Sequence, residues 1–229
     1  MLFLAVSLGF LTENLREKYQ DHLRITEFMC KMKEDLQIDI SEMDHLSKER
    51  LTRNSWCDTL INLLKNSPEK NSREKLYYYG RTATRRIHFR PQNATLEQLK
   101  NTGSIRLVED HDVLAAINDY DRLLKLNEEN ILVEEKELSE ISELSSRIFD
   151  ATVFQDITSN GIIKIPSGNP ALMSYDKNLL NQLSVKLHYW KRTSLTVLES
   201  FKQLDREAKG LKFMIGESYR CKEEKRKED

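Results

Sequence analysis

Glycine and proline are scarce in this chain, 7 and 4 among 229 residues. That supply is too small for a chain that turns often, and it points to long uninterrupted helices. Cysteine is scarcer still: Cys30, Cys57 and Cys221 form no CxxC pair. An odd count closes no complete disulfide framework, so each is read as a small apolar filler or an unpaired thiol. No charge dominates, with 36 Lys and Arg against 37 Asp and Glu. A balanced chain has no global field to draw it to nucleic acid, and no nucleic-acid partner is expected. The sequence also lacks GxSxG, GxxxxGK[ST], GxGxxG and HExxH, which removes the catalytic mechanisms those motifs serve.

What is present begins at the N-terminus. Residues 1–12 are apolar except for Ser7 and the closing Thr12, and they run straight into a heavily charged segment. Twelve helical residues rise about 18 Å, whereas a bilayer core of about 30 Å needs roughly 20 apolar residues. The run has neither the basic start nor the small-residue cleavage site of a signal peptide. It is expected to be the C-terminal part of a membrane helix; the competing reading is a buried first helix of a bundle. With no residues before Met1, the distribution of basic residues cannot orient it.

Periodicity gives the fold class. Leu8, Leu11, Leu15, Tyr19, His22, Ile25, Met29, Met32, Leu36, Ile40, Met43 and Leu46 recur at steps of three or four. Charged residues fill the gaps, so the stripe predicts an amphipathic helix. If it continues from Glu13 past Trp56 and Leu60 to Lys65 it would be about 80 Å long, with Arg50 and Arg53 on the stripe expected to mark a bend. A second seam follows a cap at Asp110: Ile117, Tyr120, Leu124, Ile131, Leu138, Ile141 and Ile148, with Asn127, Glu134 and Ser145 between. A third runs from Leu180 through Leu187, Trp190, Ser194, Phe201 and Leu211 to Ile215. Sustained 3-4 spacing implies left-handed, coiled-coil-like packing. The predicted class is all-α: an elongated helical bundle over residues 13–216, with a membrane-helix remnant at 1–12 and a charged, solvated tail at 217–229.

Shorter pieces lie between the seams. A turn is predicted over residues 66–71 and a helix over 72–87; residues 88–93 read as irregular. Thr95-Leu96-Glu97-Gln98 has capping-box spacing and opens a short helix ending near Gly103. Residues 159–176 form a loop around the strand-like run Ile162-Ile163-Lys164-Ile165, which has no evident pairing partner and is expected to dock on the bundle.

Three groups invite chemistry. Glu42 and His45 have the Glu-x-x-His spacing of bundle metal sites, but no second such motif exists and a solvated helix face explains them. Glu109-Asp110-His111-Asp112 clusters acids at a helix start, where carboxylates favour the dipole. Tyr78, Arg81, Arg85, Arg86 and Arg90 interleave aromatics with arginines and make the candidate patch for a ligand or partner, although packed tyrosines and arginines paired with acids of neighbouring helices are the favoured reading. No metal or other cofactor is called for.

Residues 8–17 (LGFLTENLRE), residues 95–108 (TLEQLKNTGSIRLV) and residues 117–121 (INDYD) resemble a family of uncharacterised bacterial proteins with one N-terminal transmembrane helix. Its central motif, QLKxxGxxRLV, falls on Gln98, Leu99, Lys100, Gly103, Arg106 and Leu107. The resemblance implies a single-pass inner-membrane protein with an extracytoplasmic helical domain, and it implies no activity, cofactor or catalytic residue. Read physically, Gly103 supplies a positive-φ helix end, and Arg106 is expected to brace the corner on a carbonyl or on Glu109 or Asp110. The functional expectation is a membrane-anchored, non-enzymatic interaction or scaffold module that contacts the membrane and a protein partner or its own copies. The alternative is an extracytoplasmic bundle that senses a small molecule and signals through a partner subunit.

Overall fold

The computed structural model describes residues 2–66, 68 and 72–221, with the side chains of residues 2 and 4–6 outside that description. The chain is mostly helical, as the seams predict. The long helices are α1 (Leu2–Lys65), α4 (His111–Ser146) and α6 (Lys177–Ser218). Between them lie α2 (Arg73–Thr82), α3 (Ala94–Asn101), a 3-10 turn (Ser104–Leu107) and α5 (Ala151–Asp156). Two short strands, β1 (Thr158–Ser159) and β2 (Ile162–Ile163), complete the order. Among the described residues no helix is long and apolar enough to cross a membrane.

The chain divides into two compact units. The first comprises residues 1–42, 90–124 and 203–229. Its core takes Ile25, Met29, Met32 and Leu36 from α1, Leu96 and Leu99 from α3, Val113, Ile117 and Tyr120 from α4, and Leu204, Leu211 and Ile215 from α6. Each such side chain stabilises the fold by about 1.5–3 kcal/mol through burial. Polar ties cross the same core. Asp39 accepts from the Gln92 backbone N–H at 2.8 Å and from the Tyr120 hydroxyl at 2.7 Å, and Asp35 accepts from the Thr95 hydroxyl. Thr95 therefore braces α3 against α1, and the predicted capping box does not form; Asn93 occupies the N-cap. Burial, then the adjacent Asp39 charge, pushes the Tyr120 phenol far up, which keeps it a donor.

A disulfide joins Cys30 to Cys221 in this unit. That corrects the reading of both residues as fillers or unpaired thiols: the odd count leaves one thiol over, Cys57, and does not forbid a pair. It also holds the start of the expected solvated tail, where Tyr219 is buried; residues 222–229 lie outside the described residues.

The first six turns of α1 leave their described apolar side chains exposed. Leu8, Leu11, Leu15 and Tyr19 continue the stripe yet stand 58%, 59%, 67% and 64% exposed, and Phe3 and Phe10 are more exposed still. Burial begins only at Ile25, where the other segments of the unit meet the helix.

The second unit comprises residues 43–89 and 125–202. Its core packs Cys57, Leu60 and Leu64 of α1 and Leu76 and Tyr77 of α2 with Leu138 and Ile141 of α4 and Leu180, Leu187 and Trp190 of α6. Arg50 and Arg53 do not interrupt α1; both stay in its buried face. The Arg50 guanidinium bonds Glu134 in a fork, at 2.6 and 2.9 Å. It also donates to Ser194 at 3.3 Å and the Ile87 carbonyl at 3.0 Å, and it lies 5.3 Å from the centroid of the Phe201 ring. The fork and the ring explain how a full charge sits in a helix seam.

Helix α2 stops at Thr82, short of the predicted end near residue 87; the non-helical segment that follows buries Ile87 and Phe89, the latter edge-on to the Phe201 ring at 5.6 Å. The Ile162 run is not a lone strand. Asn160 and Gly161 take left-handed φ values of 50° and 76°, and the resulting two-residue turn pairs β1 with β2. The loop docks as expected: Tyr77 donates to the Ala171 carbonyl at 2.7 Å and Met173 N–H to the Ile148 carbonyl at 2.9 Å. Most of the turn predicted over residues 66–71 lies outside the described residues.

Candidate functional site

The arginine–tyrosine patch divides between packed and exposed side chains. Tyr78 is half-buried, edge-on to Trp56 and Tyr79 at centroid distances of 6.3 and 5.2 Å. Arg81, Arg85 and Arg86 are exposed on the same unit. The backbone carbonyls of Arg85 and Arg86 accept from Arg53, so that segment is pinned by its main chain while its side chains face solvent. Arg90 falls in the first unit, the others in the second.

The QLKxxGxxRLV residues divide by role. Leu99 is fully buried and Gly103 has φ 69°, the left-handed turn that ends α3. Lys100 bonds Asp121 at 3.0 Å, and that bond raises the lysine above its ordinary range. Gln98 is exposed. Arg106 makes none of the expected bracing bonds among the described residues; its exposed side chain stands at the rim of a cleft. Of the expected partners, Asp110 is already engaged. Its carboxylate caps α4 through the Asp112 and Val113 N–H groups at 3.0 and 3.1 Å and accepts from the Ser218 hydroxyl at 2.6 Å. That Ser218 bond, followed by the Val113 N–H, holds Asp110 below its usual carboxylate range. The cap predicted at Asp110 is therefore present.

The cleft has a volume of about 540 Å³ and lies wholly in the first unit. Lys18, Asp21 and His22 line it from one face of α1, at the i, i+3, i+4 spacing that stacks side chains together. Arg106, Leu107 and Glu109 enter from the corner, and Ser218 and Tyr219 from the end of α6. His22 thus belongs to this exposed wall and not to a buried stripe. The i, i+4 spacing of Lys18 and His22 was readable in the sequence. The opposite walls come from segments about 90 and 200 residues away, which no local pattern reveals.

Among the described residues no group of three or more His, Cys, Asp or Glu is placed to hold a metal ion. His45 is exposed and Glu42 only half-buried. No protein-family model, curated protein or solved structure matches the chain.

Proposed function

We propose that the chain is a non-enzymatic helical interaction module held at a membrane by the start of α1. The observation that carries this reading is the exposed apolar face of that helix, with Phe3 83%, Phe10 73% and Leu15 67% exposed. A face of that kind is covered by lipid or by another protein. Phe3, Leu8, Phe10 and Leu11 meet lipid in this reading, and the stripe from Leu15 to Leu23 meets a protein partner, most simply a second copy.

The Cys30–Cys221 disulfide supports an extracytoplasmic placement, at the outer side of a bacterial inner membrane, because such bonds persist in oxidising compartments. The coiled-coil-like character of the long helices belongs to the same proposal. Seams in which Leu183, Leu187, Trp190, Ser194, Val197 and Phe201 are all buried support it.

The test is co-sedimentation of the full chain with phosphatidylglycerol-containing vesicles, beside a variant carrying Leu8→Ser, Phe10→Ser and Leu11→Ser. Binding that the triple change abolishes supports the membrane role; equal sedimentation of both proteins removes it. Light scattering on the vesicle-free chain reads the self-association arm, where a monomer at all concentrations excludes a second copy.

A further inference from the structure

The cleft of the first unit carries charges that do not neutralise one another. Lys18 and Arg106 are cationic, Asp21 and Glu109 anionic, and all four line the same opening. None of the four has an ion-pair partner among the described residues. Elsewhere exposed charges do pair at short range, as in Arg16–Glu13 at 2.5 Å, Lys48–Asp44 at 2.6 Å and Lys209–Asp205 at 2.6 Å. Unpaired charges of both signs lining one opening are the complement of a molecule that carries both charges. Asp110, the remaining acid, is excluded from this role by its bonds to Ser218 and to the α4 backbone.

The volume, about 540 Å³, falls in the range of small-ligand sites and exceeds what a single water or ion needs. Its lining is not wholly polar: Ile25 and Tyr219 are buried beneath it and Leu107 is half-buried. The third wall is fixed covalently, because Tyr219 lies two residues before Cys221 and its disulfide to α1. A preformed wall lowers the ordering cost of binding.

We propose that this cleft binds a small zwitterion with an apolar side chain, a free α-amino acid or a short peptide. Lys18 and Arg106 take its carboxylate, Asp21 and Glu109 its ammonium, and Leu107 and Ile25 its side chain. The site is independent of the membrane and self-association reading and would stand if that reading failed.

The experiment is isothermal titration of the oxidised full chain with L-leucine and with leucyl-leucine. N-acetyl-leucine, which lacks the cation, and leucinamide, which lacks the anion, serve as controls. Saturable binding of either zwitterion at about 1 mM or tighter is expected, with each control weaker by about tenfold or more. The tighter zwitterion identifies whether free amino acid or peptide is the ligand class. Arg106→Ala and Asp21→Asn should each weaken binding by a similar factor while leaving the thermal midpoint unchanged, since both side chains lie on the surface of the cleft. No heat from either zwitterion up to about 10 mM would overturn the proposal. So would N-acetyl-leucine binding as well as leucine, which would make the cleft a plain anion site. Undiminished binding in both variants would place the ligand elsewhere.

Discussion

Glutamine at position 134 would keep the size of the side chain and remove its charge. Arg50 would then be left buried, with side-chain exposure of 1%, and without a counter-ion. Removing one partner of a buried pair costs about 3–5 kcal/mol, because the remaining charge has lost its water as well. Glu134→Gln should therefore lower the unfolding free energy by that amount in urea. The double change Arg50→Met with Glu134→Leu should cost far less than the two single changes together. Additive losses would show that the fork at 2.6 and 2.9 Å contributes little coupling.

Asp39 makes the opposite kind of statement. Burial pushes its carboxyl above the ordinary range, and the Gln92 N–H and Tyr120 hydroxyl offset this only in part. The unfolded chain thus ionises first. Stability from this group is full below the ordinary carboxylate value and falls as pH rises toward the raised folded value. In Asp39→Asn that decline should vanish, read as the difference in denaturation midpoint from wild type between about pH 3.5 and pH 7. A difference that stays constant with pH would mean Asp39 titrates alike in both states. Neither site is announced by residue type alone: Arg50 on the seam and Asp39 one residue before the seam residue Ile40 are buried, and their polar partners, Glu134 and Tyr120, arrive from residues 84 and 81 positions away.

Within an element, competing magnitudes decide the outcome. Gly80 lies inside α2, where alanine would ordinarily gain up to about 1 kcal/mol of helix propensity. A Cβ there would stand 2.8 Å from the Phe149 ring, which is itself buried among Tyr77 and Phe154 at centroid distances of 5.3 and 5.2 Å. Overpacking of that sort costs about 1–3 kcal/mol, so Gly80→Ala should be destabilising on balance, seen as a lowered thermal midpoint. A raised midpoint would mean the ring yields freely. The long helices themselves were legible because 3-4 spacing needs no tertiary knowledge, and the α6 seam from Leu180 to Ile215 is buried throughout. The same spacing in Leu8 to Tyr19 lies exposed, since a stripe records a face suited to burial and not the presence of anything to bury it. The hairpin was legible in principle. Asn160-Gly161 is a two-residue turn signal, but the β1 half, Thr158–Ser159, is too short to stand out as a strand.

Across the whole chain, the disulfide joins the first and last segments of the first unit over a separation of 191 residues. Loop-closure entropy for a loop of that length corresponds to about 5 kcal/mol. The candidate cleft depends on the same closure, and this is why it was invisible in the sequence: its walls meet only when residues 18–25, 106–110 and 218–219 converge. Thiol counting gives the direct check. The native chain should show no thiol reactive toward a disulfide reagent, because Cys30 and Cys221 are bonded and Cys57 is buried with its thiol pushed up to about 12. Denaturation alone should release one thiol, and denaturation with reductant all three. Reduction under native conditions should then lower the stability of the first unit, read by amide hydrogen exchange. Exchange in Met29–Leu36 and Leu204–Ile215 should accelerate, while the core around Leu76, Ile141 and Leu183 is spared. Two reactive thiols in the untreated native chain would remove the bond. Uniform acceleration in both units would show that the stabilisation is not confined to the segments the disulfide joins.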